Sequence, residues 1–389
     1  MGKDGLTFHS PLVYFSIVQT IVQLKSMSRK ITEFLKEGLQ EKVYPGAVLL
    51  VARGEDIGFF RSVGNRTLIP SPLPMEKDTI FDLASLTKPL VTTLAIMKLV
   101  EDDLLGLDTP ISSRIKPFPW EDKTDLSPRL LLNHSAGLRD WKPFYLELVK
   151  YPMEERKPAL RRLIMEEALN GEPEKLALYS DLGFMLLEWI LEVITGRDLS
   201  AFLNAHFCRP LGLKNLYLDQ ITADPPREKE LFAATEYCRW RMELIQGHVH
   251  DENAYALGGY SGHAGLFGTA LDIFALTSRL IKIYHGYSST PLKTETVRTF
   301  FSRQEIVPRS TWALGWDTPT EKNSSSGDYF SSNSVGHTGF TGTSVWIDLE
   351  KNITVIFLTN RIHPDRSNEK IKELRPRLHN LIMREFGYA

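Results

Sequence analysis

The stretch "FDLASLTKPL", residues 81–90, places Ser85 three positions before Lys88. On a helix the two side chains lie one turn apart on the same face, within mutual reach. Pro89 is tolerated only near a helix start, so the spacing predicts a helix that begins near Ser85. A residue there has an unpaired backbone N–H, and the helix dipole favours negative charge developing beside it. A serine so placed needs a base to become a nucleophile, and a desolvated lysine can serve. The same residues also describe a capping serine beside a solvated lysine, and capping serines are common. Ser113 and Lys116 in "SRIK" repeat the spacing. Taken alone, the stretch favours the cap.

Outward from it, "ITEFLKEGLQEKV" sets Ile31, Phe34, Leu35 and Leu39 on one stripe of an amphipathic helix that Met27 opens. "GAVLLVARG" (46–54) and "IGFFRSVG" (57–64) read as two strands joined by a hairpin turn at "RGED". After Ser85, "LVTTLAIMKLVEDDLLGL" is an apolar helix, opening a mainly helical tract to about residue 285. Its clearest members are "GFMLLEWILEVI" (183–194) and "ALDIFALTSRLIKIY" (270–284). "EKNSSSGDYFSSNS" (321–334) is a polar loop. Strand signals return over 335–350 and 352–360, and "EKIKELRPRLHNLIMREF" closes the chain as a helix interrupted or kinked near Pro376. Helix and strands at both ends around a helical middle imply an α+β fold. Residues 27–84 and 286–389 form a sheet-plus-helix lobe, residues 85–285 form an inserted helical lobe, and a site falls in the cleft between them.

The 389 residues, 42% hydrophobic and 24% charged, suit an ordinary protein with a sizeable core. A formal net charge of −2 gives no electrostatic reason to expect a nucleic-acid or anionic-membrane partner. Cys208 and Cys238 form no C-x-x-C pair and cannot supply a disulfide framework or a four-thiolate zinc site. "PLVYFSIVQTIVQL" (11–24) carries Ser16, Gln19, Thr20 and Gln23, follows Lys3 and Asp4, and precedes no small-residue cleavage site. It is shorter than the ~20 apolar residues of a membrane span. Residues 1–26 therefore read as an extension or a mis-assigned start, and a cytoplasmic location is favoured over a periplasmic or extracellular one.

Two further stretches carry chemistry. "LYSDLGFMLL" sets Tyr179 and Asp181 at a loop-to-helix transition; Tyr179 can relay protons, while Asp181 as the cap of the helix that Leu182 begins is the plainer reading. "GHTGFTGTSVW" puts His337, Thr338 and Gly339 in a strand whose glycines mark a ligand approach or a bulge. "GHVHDENA", with His248, His250, Asp251 and nearby His263, has metal-ligating residue types without metal-motif spacing. "GGYSGHAG" around Ser261 lacks the G-x-S-x-G elbow.

Taken in order, "SLTK", "YSD" and "HTG" resemble the S-x-x-K, Y-x-N and K/H-T-G signatures of the serine β-lactamase, penicillin-binding DD-peptidase and esterase superfamily, on its class C branch. "LLLNHSAGLRDW" (130–141), the block from Leu176 to Asn215, and "VHDENAYALGGYSGHAGLFGTALDI" extend the similarity, the last towards carboxypeptidase-like members. The resemblance covers about residues 30–385.

It implies a β-lactamase/transpeptidase-like fold and a serine acyl-hydrolase that needs no metal or organic cofactor. Ser85 matches the acylated serine, Lys88 its base, and Tyr179 the tyrosine that moves protons to and from the leaving group. His337, Thr338 and Gly339 match the strand lining the substrate, and the N–H groups of Ser85 and Phe340 match the oxyanion hole. The implied substrates are small esters, peptides or β-lactams. A D-alanyl-D-alanine carboxypeptidase-like or penicillin-recognising enzyme and a small-ester hydrolase stand close together, with a non-catalytic ligand-binding relative as the contrasting class. Asp181 departs from the pattern. An asparagine there can donate to a substrate carbonyl, whereas a carboxylate only accepts. Beside Lys88 it also stabilises the ammonium, which shifts more of the base role to Tyr179 and alters substrate choice.

Overall fold

The computed structural model describes residues 28–218, 220–221 and 227–388. The apolar stretch at 11–24 and Met27 lie outside them. Six strands form one sheet. β1 (Gly46–Arg53), β2 (Asp56–Thr67) and β3 (Leu73–Pro74) come from the start of the chain. β4 (Ser334–Thr338), β5 (Ser344–Asp348) and β6 (Ile353–Thr359) come from its end. Their order is β3-β2-β1-β6-β5-β4. The seam between the two sets is antiparallel, with Val48 opposite Leu358 and Leu50 opposite Ile356.

β1 is buried along almost its whole length because both faces are covered. Ala47, Leu49 and Val51 pack with Val355 and Phe357 against Ile31 and Leu35 of the helix over 28–40 (α1) and against Leu378 and Ile382 of the last helix. Val48, Leu50 and Ala52 face the opposite way, with Ile356 and Leu358, into the larger helical core. A strand covered on both sides reads as a continuous apolar run, hence "AVLLVA".

The helical core is built by α2 (Thr93–Glu101), α3 (Asp181–Thr195) and α4 (Ala270–Tyr284). The fold is of the β-lactamase/transpeptidase type, mixed helix and antiparallel sheet, as the resemblance implied. No helix among the described residues is long and apolar enough to cross a membrane.

Several elements differ from the sequence reading. The segment 335–350 is two strands, because Gly339 N–H donates to the Thr343 carbonyl and Gly342, at φ +104°, closes a turn between them. The helix after Ser85 ends at Glu101, where Asp103 takes a positive φ of 55°. The middle of the chain, read as mainly helical, also contributes Tyr217–Leu218 and Leu266–Gly268 to a small sheet with Phe81–Asp82. The last helix, α5 (Ile371–Glu385), runs unbroken through Pro376.

Candidate active site

Ser85 is positioned by the small sheet. Asp82 pairs with Phe267, and the Leu83 N–H donates to the Leu266 carbonyl at 2.8 Å. The chain then turns sharply at Ala84, whose φ of +48° costs an alanine roughly 1–2 kcal/mol. The fully buried Asp82 braces this turn. One carboxylate oxygen accepts from the Ala84 N–H at 2.8 Å and the other from the His250 N–H at 2.7 Å. Ser85 therefore lies in a short 3₁₀ turn, Ala84–Leu86, rather than at the first residue of a regular helix. A π turn (Lys88–Thr92) with Pro89 at its start follows, leading into α2. A π turn relaxes the i→i−4 pattern and is frequent at functional sites.

Lys88 is buried to 0% exposure, and its ammonium is surrounded by oxygen partners. Nζ stands 3.2 Å from Ser85 Oγ, 3.1 Å from the His263 carbonyl and 2.7 Å from Asp181 Oδ1. It also lies 4.8 Å from the centre of the Tyr179 ring, and the Tyr179 hydroxyl hydrogen-bonds both Lys88 and Ser85. Burial is the largest influence and pushes the lysine down, but the charges and hydrogen bonds of Asp181 and Tyr179 together outweigh it, and the ammonium is held above its usual range. Burial likewise raises the Tyr179 phenol, against the opposing pull of Lys88. At neutral pH both groups carry their protons. Asp181 thus has the contact with Lys88 through which the expected effect would act.

Asp181 is free to make this contact because it does not cap α3. Ser180 does so, its Oγ accepting from the Gly183 N–H at 3.3 Å. The Ser113 side chain, by contrast, donates to the Pro110 carbonyl within its own turn.

The strand β4 brings His337 to the same place, its ring 5.9 Å from that of Tyr179. His337 Nδ1 is 2.8 Å from the Thr338 carbonyl, so Nδ1 carries the proton. Burial and the nearby Lys88 charge push its pKa down to about 3, and it is neutral. Gly339 is required by packing within the protein, not by a ligand. A Cβ there would meet Thr343 Oγ1 at 2.2 Å and the Leu83 carbonyl at 2.6 Å. The loop 339–343 is also stitched to the turn before Ser85, with Thr341 Oγ1 donating to the Asp82 carbonyl at 2.8 Å. Phe340 is thereby held against the Ser85 turn. Its ring is stacked on His250, and its carbonyl accepts two bonds from Arg361 at 3.0 and 2.7 Å.

Three further contributors have no role assigned from the sequence, although His134 lies within "LLLNHSAGLRDW" and His263 beside the histidine-rich stretch. His134, whose Nδ1 accepts from the Ser180 N–H, and Trp312 pack around Tyr179 at 4.8 and 5.7 Å between ring centres. His263 supplies a backbone carbonyl to Lys88, so the rejected "GGYSGHAG" belongs to the site through its main chain. Its Ser261 is buried on Glu188 at 2.6 Å. Asp251 and His263 of the histidine-rich stretch do converge with Asp181, with ligand-type atoms within 4.8 Å of one another. His263 Nε2 already pairs with Asp251 at 2.9 Å, and the Lys88 ammonium already neutralises Asp181.

Ser85, Tyr179 and Phe340 lie on the wall shared by two hollows. One, of 380 Å³, is lined by Trp312, Asp317, His337, Arg361, Lys372 and Arg375. The other, of 290 Å³, is lined by Trp141, Asp181, His250, Asp251, Glu252 and Arg366, among others. Arg375 is only 5% exposed and its Nε has no partner; burial and the neighbouring Arg361 push its pKa down to about 10.

A serine hydroxyl bridged to a buried lysine and a tyrosine, on this sheet, defines a serine hydrolase of the β-lactamase fold. The chain belongs to the β-lactamase family, whose sequence model matches residues 31–378. It is 31% identical over 366 residues to the N-acetylmuramyl-L-alanine amidase of Bacillus subtilis (strain 168), covering 86% of this chain and 81% of that protein. It is 29% identical over 374 residues to a putative D-alanyl-D-alanine carboxypeptidase of Escherichia coli (strain K12), covering 88% of this chain and 83% of that one. Among solved structures, the octameric penicillin-binding protein homologue from Pyrococcus abyssi superposes with a TM-score of 0.70 at 21% identity, over 92% of this chain and 78% of that one. EstCE1, a hydrolase with promiscuous acyltransferase activity, gives 0.67 at 22%, over 91% of this chain and all of that one.

Proposed function

We propose that this chain hydrolyses an amide or peptide bond through an acyl-enzyme on Ser85, with a substrate that carries a carboxylate. The Ser85–Lys88–Tyr179 contact at the junction of two hollows carries the reading. Lys88 and Tyr179 shuttle the Ser85 proton to the leaving group. The N–H groups of Ser85 and Phe340 receive the oxyanion, at a few kcal/mol each. His337 and Thr338 line the bound chain, and Asp181 accepts from a substrate N–H.

The carboxylate follows from Arg375. Burial and the neighbouring Arg361 disfavour the Arg375 charge, a cost that a bound anion would offset, and Arg361 and Lys372, together with Asp317, line the same hollow. The relatives named as an amidase and a carboxypeptidase support an amide bond in a peptide bearing a free acid. A small ester is the second substrate class for the same machinery.

Turnover of a D-Ala-D-Ala peptide, an N-acylmuramyl-type amide, a p-nitrophenyl ester and a fluorescent penicillin tests this. The free-acid peptide is expected to exceed its C-terminal amide by on the order of tenfold in kcat/KM. Equal rates would remove the carboxylate, and no hydrolysis or covalent adduct with any member would leave a binding role.

The pH profile of kcat/KM follows from the raised Lys88. As a base it must lose its proton, so kcat/KM rises towards alkaline pH. Asp181→Asn removes the attraction that holds the ammonium, burial then lowers the lysine pKa, and the limb moves to lower pH. An unmoved limb and unchanged substrate preference would refute this role for Asp181.

A further inference from the structure

We infer that Asp181 is the general base that activates the water hydrolysing the Ser85 acyl-enzyme. The inference rests on the acyl-enzyme reading of Ser85. Asp181 Oδ1 and Ser85 Oγ contact the same ammonium, at 2.7 and 3.2 Å. The carboxylate and the serine oxygen are thus no farther apart than two short contacts laid end to end, the span that one bridging water covers. Oδ1 is buried against Lys88, while the Asp181 side chain as a whole is 14% exposed and lines a hollow that Ser85 also lines. Water entering that hollow meets the carboxylate and the ester carbon together.

The neighbours leave the task to Asp181. Lys88 and Tyr179 already hold their protons, and His263 is engaged with Asp251. Capping of α3 falls to Ser180, so the Asp181 carboxylate is not needed as a cap, although in the first turn it also meets the favourable end of the helix dipole. An amide in its place could orient the water but could not take its proton.

The step balances simply. Water oxygen forms a bond to the acyl carbon as one of its protons passes to Asp181, giving a tetrahedral oxyanion. The carbon–Oγ bond then breaks, Ser85 Oγ takes a proton from Lys88, and the proton on Asp181 passes to the lysine. The product acid leaves and the resting ion pair is restored.

Asp181→Asn, isosteric and without a capping role to lose, separates the two half-reactions. With a p-nitrophenyl ester the variant is expected to release one burst of nitrophenolate per enzyme and then turn over on the order of 100-fold more slowly than wild type, the usual scale of a general base. Intact mass is expected to show the accumulated adduct. Hydroxylamine, a nucleophile that needs no deprotonation before attack, is expected to clear the adduct at similar rates in both proteins, which a merely distorted site would not allow. Asp181→Glu restores part of the turnover. If adducts on wild type and Asp181→Asn decay equally fast in water, Asp181 is not the base, although Ser85 remains the nucleophile. If neither protein is acylated by the ester or a fluorescent penicillin, the acyl-enzyme reading fails and this inference with it.

Discussion

Ser85→Ala is expected to abolish the covalent adduct and to lower kcat/KM by at least about 10⁴-fold. Nucleophile removal in serine hydrolases leaves only the contribution of binding and oxyanion stabilisation. The loss is chemical rather than structural. Among the described residues the Ser85 hydroxyl meets Lys88 and Tyr179, and Lys88 keeps its contacts with Asp181 and the His263 carbonyl. The turn itself is held by Asp82 and by Thr87, whose hydroxyl donates to the Ala84 carbonyl at 2.6 Å. The variant should therefore melt within a few degrees of wild type. Intact mass after incubation with a fluorescent penicillin, alongside a thermal melt, checks both halves. An adduct that persists in Ser85→Ala would move the nucleophile elsewhere.

Lys88→Met separates charge from packing. Activity is expected to fall on the order of 10³-fold or more, since no other group contacts both the serine and the carboxylate. Stability should fall as well. Breaking a buried ion pair from one side leaves an uncompensated charge, at about 3–5 kcal/mol. Here Asp181 would keep its carboxylate beside an apolar side chain. The double variant Lys88→Met with Asp181→Asn removes both charges and is expected to recover most of the stability and none of the activity. Urea unfolding of the single and double variants provides the cycle. If the double variant is no more stable than Lys88→Met, the pair is not the source of the loss. In wild type the pair has a pH signature too. Lys88 is raised above 10.5 on folding, so its stabilisation is fully present below that value and is lost as pH climbs through the folded pKa.

Much of this site is written in local patterns. Ser85 and Lys88 share a helix face by spacing alone, and "YSD" and "HTG" mark the other two walls. The two-sided burial of β1 was equally plain in its unbroken apolar run. Contacts made by the backbone were not legible. The His263 carbonyl on Lys88 depends on where a distant loop returns, and no side-chain pattern encodes it. Trp312 and His134 pack on Tyr179 from separate segments, and although "LLLNHSAGLRDW" contains His134, nothing local says that its ring meets Tyr179. The capping of α3 was misread because Ser180 and Asp181 are both good caps, and only the pull of a buried ammonium decides between them. The turn within 335–350 was hidden because glycine serves a strand contact at Gly336, against Trp346, as well as a bend at Gly342.

The order of strands also governs when the enzyme comes into being. The centre of the sheet joins Val48 to Leu358, and the nucleophile turn is tied to the loop at Thr341. Contacts that distant in sequence form late and slowly, after long loops have closed. A chain emerging from the ribosome can build its helical core while its first strands wait for partners not yet synthesised. A truncated or half-made product lacks the loop that holds Phe340 beside Ser85. The wall that Phe340 forms beside Ser85 is therefore completed only once that distant loop has been made.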